Sequence, residues 1–216
     1  QIENRSTALV FIDSQNDALS PTGANWEVFK DSVTENRTVE NMSLLFRCAK
    51  DNGYEVLISP HYFYPHDSGW KFNGPLEAAE FDHAFARAGQ LELTNFENSG
   101  ADWLQEFKPF INDGMTIVAS PHKVFGPQTN DLVLQLRKRA IGKIILGGML
   151  ANMCVESHLR EFLEQGFEVA VIKRSGRAPA PVFGDGYQAA MINYQYLAHA
   201  VLSTSETLEL MINGKN

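Results

Sequence analysis

The sequence is poor in cysteine. Two residues, Cys48 and Cys154, stand among 216, far too few for a disulfide scaffold and suited to a reducing, cytoplasmic setting. Long apolar runs are missing as well. None approaches the ~20 residues that a membrane-spanning helix needs. No charged stretch followed by a short apolar one opens the sequence, so no signal peptide is read there. Positive charge is scarce: 18 Lys and Arg against 26 Asp and Glu give a formal net charge of −8. The basic residues are scattered, with Arg137-Lys138-Arg139 as their longest cluster, which argues against a nucleic-acid partner. Internal repeats, low-complexity tracts and linker-like stretches do not occur. What is present is a chain of 44% hydrophobic residues, able to bury a full core and of a length that suits one domain over residues 1–216.

Apolar runs and helical patterns alternate along this chain. Ala8-Leu9-Val10-Phe11-Ile12 is continuously apolar, as in a strand buried on both faces. Further strands are predicted at 55–59, 115–119, 144–149, 168–172 and 200–203. Helices are predicted over 35–52, with Val39, Met42, Leu45, Phe46 and Ala49 on one face, and over 100–107, 129–140, 152–165, 186–198 and 205–212. Thr129 or Asn130 and Ser205 are their candidate caps. Residues 60–98 form a long aromatic, turn-rich excursion with one short helix near 75–80. Alternating strands and helices predict an α/β fold with a mostly parallel sheet and helices on both faces.

In such sheets ligands bind beyond the carboxyl ends of the strands. Asp13, His61, Lys123 and Cys154 each follow a predicted strand, so four chemically capable residues gather at one edge. Cys154 also stands at a helix start, where unpaired N–H groups and the macrodipole favour a thiolate. Asp13 can accept its proton. Lys123 can support the charged pair, and backbone N–H groups of the Met149-Leu150-Ala151 turn and of Cys154 can form an oxyanion hole. Each residue also has a plainer reading: a buried small hydrophobe for Cys154, a turn residue for Asp13, a solvated surface group for Lys123. Their coincidence at three strand ends favours chemistry.

The segment Ala8-Leu9-Val10-Phe11-Ile12-Asp13-Ser14-Gln15-Asn16-Asp17 resembles the opening signature of the isochorismatase-like cysteine hydrolases, which include nicotinamidases and related amidases. Gly148-Met149-Leu150-Ala151-Asn152-Met153-Cys154-Val155-Glu156-Ser157-His158-Leu159-Arg160 resembles that family's nucleophile segment, and Lys123 in His122-Lys123-Val124-Phe125-Gly126 takes the place of its lysine. The resemblance implies an Asp13–Lys123–Cys154 triad on a three-layer, Rossmann-like, six-stranded sheet. It also implies a cis peptide at Met149–Leu150, the N–H groups of Leu150 and Cys154 as oxyanion hole, no organic cofactor, and self-association as a dimer or tetramer.

Departures from the family pattern narrow the reading. Nicotinamidases build a metal site on an Asp-x-His segment with further histidines. Here Ser59-Pro60-His61 stands in that place, followed by His66 and Asp67. These three are the one set that could hold a metal, and no native metal is expected. His158 stands where much of the family has Thr, and Ala18 where it has Phe, which widens the expected pocket. The excursion supplies Tyr62, Phe63, Tyr64, Trp70, Phe72 and Phe81, as an aromatic lid or as packing and dimer contacts. Trp70, Phe125 and His61 are the candidate substrate-binding residues. Cys48 reads as inert core. Arg174, Arg177 and Ala178-Pro179-Ala180-Pro181 are candidates for closing the site or touching a neighbouring subunit. The expected function is cysteine-dependent hydrolysis of a C–N bond of a small molecule (amide, imide or carbamate-like) through a thioester. Two alternatives stand: isochorismatase-type cleavage of a vinyl ether with Asp13 as proton donor, and a non-catalytic small-molecule-binding relative.

Overall fold

The computed structural model of the chain describes residues 1–81, 83–173 and 184–214. Arg174, Arg177 and the segment 178–181 lie outside the described residues. In chain order, β1 (Thr7–Ile12) is followed by α1 (Asn16–Leu19), α2 (Trp26–Glu35) and α3 (Thr38–Asp51), then by β2 (Glu55–Ser59), a 3-10 turn at Pro65–Gly69, α4 (Pro75–Glu80) and α5 (Lys108–Ile111). The second half runs β3 (Ile117–Val118), α6 (Leu132–Lys138), β4 (Lys143–Gly148), α7 (Glu156–Glu164), β5 (Glu168–Ile172), α8 (Gly186–Leu197), β6 (Ala200–Leu202) and α9 (Thr204–Ile212).

The six strands form one all-parallel sheet in the order β3-β2-β1-β4-β5-β6. Successive side chains of β1 enter opposite layers, because a strand's period is two. Leu9 and Phe11 pack with Met42, Leu45 and Phe46 of α3. Ala8, Val10 and Ile12 pack with Leu132 of α6, Leu159 of α7 and Tyr194 of α8. All six residues of β1 are buried, which is why the run reads as continuously apolar. The chain winds outward from β1 through β2 to β3, then restarts at β4 and winds the other way. The crevice between the ends of β1 and β4 is therefore the switch point of the sheet, where ligands bind.

Several predicted elements differ in detail. The helix predicted over 35–52 is α3, which starts at Thr38 because Arg37 before it takes a left-handed backbone (φ 49), and a further helix not predicted, α2, precedes it at Trp26–Glu35. The helix predicted over 100–107 is replaced by turns. Buried Asp102 accepts hydrogen bonds from the N–H groups of Asn98 (2.8 Å) and Trp103 (2.7 Å), a local side-chain alternative to the helical ladder. The third strand shortens to two residues. The last helix is capped by Ser203 rather than Ser205: its hydroxyl accepts from the Glu206 N–H and the Glu206 carboxylate accepts from the Ser203 N–H, a reciprocal capping box. Cys48 is buried on α3, where burial pushes its thiol pKa up. Among the described residues no helix is long and apolar enough to cross a membrane.

The end of β4 depends on two glycines. A Cβ on Gly147 would lie 2.9 Å from the Phe11 ring, and one on Gly148 would lie 2.2 Å from the Ile12 carbonyl oxygen. Gly148 also has φ 118, a region open to glycine and strained for other residues. Gly148→Ala is expected to destabilise the fold by about 3 kcal/mol or more, read as the urea unfolding midpoint. Gly142→Ala, where an added Cβ meets nothing within 4 Å, is the control; equal midpoints for the two variants would refute the close-approach argument.

Candidate active site

Asp13 leaves β1 in a left-handed conformation (φ 54), which Asp tolerates better than most residues. Its N–H donates to the Ser59 carbonyl at 3.1 Å, tying the ends of β1 and β2. Buried Gln15 tightens the same junction: its side-chain N–H groups donate to the carbonyls of His61 (2.8 Å) and Ala101 (2.9 Å), and its oxygen accepts from the His61 N–H (2.8 Å). After β4 the chain passes through a cis peptide at Met149–Leu150 and a single wide helical turn at Ala151–Val155 before α7 starts. Cys154 sits in that turn.

Asp13, His122 and Cys154 converge: one ligand-type atom from each lies within 4.8 Å of the others. The Cys154 thiol hydrogen-bonds Asp13, and Nε2 of His122 lies 2.7 Å from Oδ1 of Asp13. Burial pushes the Asp13 carboxyl up to about 6, against the pull of neighbouring His61, the Cys154 hydrogen bond and His158. Burial, and then the Asp13 charge, push the Cys154 thiol well above its usual range, although the Leu150 N–H works the other way. The sequence predicts a thiolate stabilised by a helix start; in the structure desolvation outweighs that effect, and the resting sulfur keeps its proton.

Lys123 does not stand beside Asp13. Its Nζ donates to the Asp67 carboxylate at 2.6 Å and to the Tyr62 carbonyl at 3.0 Å, and lies 3.7 Å from the centre of the Tyr64 ring. His122 pairs with His61 in a bridge that continues the sheet beyond β2 and β3. Consecutive residues of an extended segment project to opposite sides, so only one of His122 and Lys123 can face Asp13, and it is His122.

Three neutral histidines back this group. Nδ1 of His61 lies 3.4 Å from Nδ1 of His122, and the His122 and His158 rings meet edge to face at 5.1 Å. Nδ1 of His158 hydrogen-bonds the Cys154 carbonyl at 2.7 Å and its Nε2 bonds the Ser59 hydroxyl at 2.8 Å, so His158 braces the turn that carries the sulfur. Burial, and for His61 and His158 also a histidine neighbour, hold all three near a pKa of about 3.

The metal set nominated from sequence does not converge. Asp67 is engaged by Lys123 and by the Tyr64 N–H, His66 is exposed beside it (3.3 Å), and His61 turns toward His122. Among the described residues the converging metal-type group is Asp13, His122 and Cys154. Its donor types suit zinc, but the thiol would first have to lose the proton that burial and Asp13 hold on it.

A cavity of about 30 Å³, room for one or two water molecules, opens on these groups. Its polar lining is Asp13, Asn25, His61, Glu80 and Cys154; its apolar lining includes Ala18, Phe29, Phe125, Leu150 and Met153. Phe125 and His61 line this cavity. Trp70 is not among the described residues lining it, and packs instead against Phe63 and Phe81 at ring distances of 6.3 and 5.5 Å. Phe72, also nominated for the lid, is fully exposed. The sequence reading missed His122, Glu80, Asn25 and Phe29. His122 carried a signal, being adjacent to the nominated Lys123; Glu80 closes the short helix predicted in the excursion, where no motif marks it.

The sequence matches the isochorismatase domain over residues 7–206. No curated protein is significantly similar to it. Among solved structures, a cysteine hydrolase from Pseudomonas syringae is similar with a TM-score of 0.79 at 19% identity, covering 98% of this chain and 94% of that one. An isochorismatase family protein from Desulfovibrio vulgaris follows with a TM-score of 0.74, 16% identity and coverage of 97% and 100%. An N-carbamoylsarcosine amidase from Thermoplasma acidophilum has a TM-score of 0.67, 17% identity and coverage of 93% and 98%.

The buried histidines make stability depend on pH. Their folded pKa of about 3 lies below the ordinary 6.5, so their contribution is complete above 6.5 and is lost as pH falls toward 3. Asp13 and Glu80, raised to about 6 and about 7, act in the opposite sense, but two carboxyls with smaller shifts do not offset three histidines. The urea unfolding midpoint is expected to be lower at pH 5 than at pH 7; an unchanged or higher midpoint at pH 5 would contradict the neutral, buried array.

Proposed function

The chain belongs to the isochorismatase domain family, and from that premise we propose that it is a hydrolase that cleaves a C–N bond of a small molecule through a thioester on Cys154. The observation that carries this reading is the convergence of Cys154, Asp13 and His122 at the wall of one cavity. The structural likeness to an amidase adds weight to C–N over other bonds.

As Sγ of Cys154 attacks the carbonyl carbon, its proton passes to the hydrogen-bonded carboxylate of Asp13. The N–H groups of Leu150 and Cys154 hold the oxygen as it gains charge. Asp13 then gives the proton to the leaving nitrogen, the C–N bond breaks, and the acyl group remains on sulfur. Water attacks this thioester with its proton going to Asp13, the C–S bond breaks, and the proton returns to the sulfur. A carboxyl that titrates near 6 suits both halves of this cycle, since it must take and return one proton near neutral pH. His122 is a positioning residue: with Asp13 ionised, its Nε2–H donates to Oδ1 and orients the carboxylate toward the sulfur. Lys123 supports the site at one remove, by holding the Asp67 turn. Phe125 and His61 meet the substrate, while Trp70 packs against Phe63 and Phe81 away from the cavity lining. Two free thiols suit the reducing, cytoplasmic setting assumed for this enzyme.

A second reading draws on the same raised carboxyl. A protonated Asp13 can donate to a vinyl ether, in which case the sulfur is dispensable.

On a panel of small amides and carbamates, Cys154→Ala and Asp13→Asn are each expected to lower kcat/KM by about 10³-fold or more. Loss with Asp13→Asn alone, on a vinyl ether, selects the second reading. His122→Ala is expected to cost about 10²-fold and Lys123→Met less than about tenfold; the reverse order would sink the role given to His122. The acid limb of kcat/KM should titrate near pH 6 in the native enzyme, with activity rising as Asp13 ionises, and a limb near 4 would contradict a buried base.

A further inference from the structure

The same cavity contains a second polar group that the hydrolytic cycle does not use. Glu80, the last residue of α4, turns inward and is mostly buried, its side chain 17% exposed. Asn25 Nδ2 reaches one of its oxygens at 3.5 Å. The other oxygen lies 4.0 Å from Nε2 of His61, too far for a hydrogen bond. That nitrogen is buried and has no hydrogen-bond partner, on a side chain only 4% exposed.

The proton positions follow from the chain of contacts. When Asp13 is ionised, His122 presents Nε2–H to it and a bare Nδ1 to His61. His61 donates through Nδ1, so its Nε2 carries a lone pair. A buried acceptor without a donor is costly, and here it lies beside a carboxyl group in a cavity that also contains Asp13, Asn25 and Cys154 and is otherwise apolar. Two acceptors side by side at the end of such a cavity call for a donor that the protein does not itself supply.

We propose that Glu80, Asn25 and His61 form a recognition subsite for a neutral NH2 group of the substrate, which donates one hydrogen to His61 Nε2 and the other to the Glu80 carboxylate. The inference rests on the hydrolase reading and deepens it, because it assigns the substrate class: small molecules with an NH2 donor facing the scissile carbonyl's far side, held in a cavity too narrow for a bulky group. Glu80 sits near a pKa of about 7, raised first by burial and then by the Asp13 charge; a donor between it and His61 favours its ionised form and strengthens the contact near neutral pH.

Chloroacetamide and N,N-dimethylchloroacetamide test this on the intact protein. Both alkylate a thiol by displacing chloride, and they differ in the NH2 group. The readout is the ratio of their second-order rates at Cys154, followed by mass mapping of the peptide that carries it, and divided by the same ratio for glutathione. The native protein is expected to favour the NH2 reagent by about tenfold over the glutathione ratio. Glu80→Leu should bring the ratio to within about twofold of glutathione. Glu80→Gln, which preserves shape and an acceptor oxygen, should keep a clear preference. A native ratio equal to that of glutathione, a preference that survives in Glu80→Leu, or a loss in both variants would overturn the proposal. The ratio is independent of the absolute rate, so a Cys154→Ala protein that still hydrolyses amides would remove the thioester reading without touching this result.

Discussion

A carboxyl group withdrawn from water at the switch point of the sheet sets the terms for everything around it. Asp13 is buried because β1 is the central strand, covered on both faces, and the turn that follows it is closed by the Ser59 carbonyl and by Gln15. A buried charge requires partners. It finds them in the Cys154 thiol and the His122 ring, and those partners are buried in turn. The raised thiol pKa of Cys154 and the depressed pKa of His122 both follow from this shared desolvation. Near neutral pH the sulfur keeps its proton while the carboxyl beside it, titrating near 6, is mostly ionised.

The supporting shell is correspondingly polar and dry. His158 braces the sulfur-bearing turn through the Cys154 carbonyl and is itself held by Ser59, whose hydroxyl also accepts from Asn130 Nδ2 at 2.9 Å. Placing three neutral histidines in the interior sacrifices acid stability for a fixed geometry. Most of these contacts are short. Nε2 of His61, on a residue that lines the cavity, is among the buried atoms left without a partner.

Much of this was legible in the amino-acid pattern. The continuous apolar runs of β1 and β4 marked a doubly covered parallel sheet, and the residue after each run, or in the turn beyond it, marked Asp13 and Cys154. Elements whose signals were local held less well. Arg37 delays the start of the third helix to Thr38 by adopting a left-handed backbone, and the helix before it, α2, is not predicted. Asp102 turns another into a set of side-chain-capped turns. Nothing in the composition of either stretch distinguishes a helix from these competing hydrogen bonds. The aromatic excursion reads as a lid or as packing, but Trp70 packs against Phe63 and Phe81 and Phe72 is exposed, while Glu80 of α4 reaches the cavity.

The sequence by itself determined the family, the alternation that yields the sheet, and the two residues at the switch point, because hydrophobic periodicity and motif spacing are properties of neighbours along the chain. Only the tertiary structure decided which of two adjacent residues faces Asp13. His122 and Lys123 are one bond apart and equally able to support a carboxylate, and the choice between them depends on the side to which an extended segment presents each side chain. The same holds for protonation. A thiol at a helix start reads as a thiolate until the depth of its burial and the charge beside it are known, and both arise from strands more than a hundred residues apart in sequence that fold into adjacent positions.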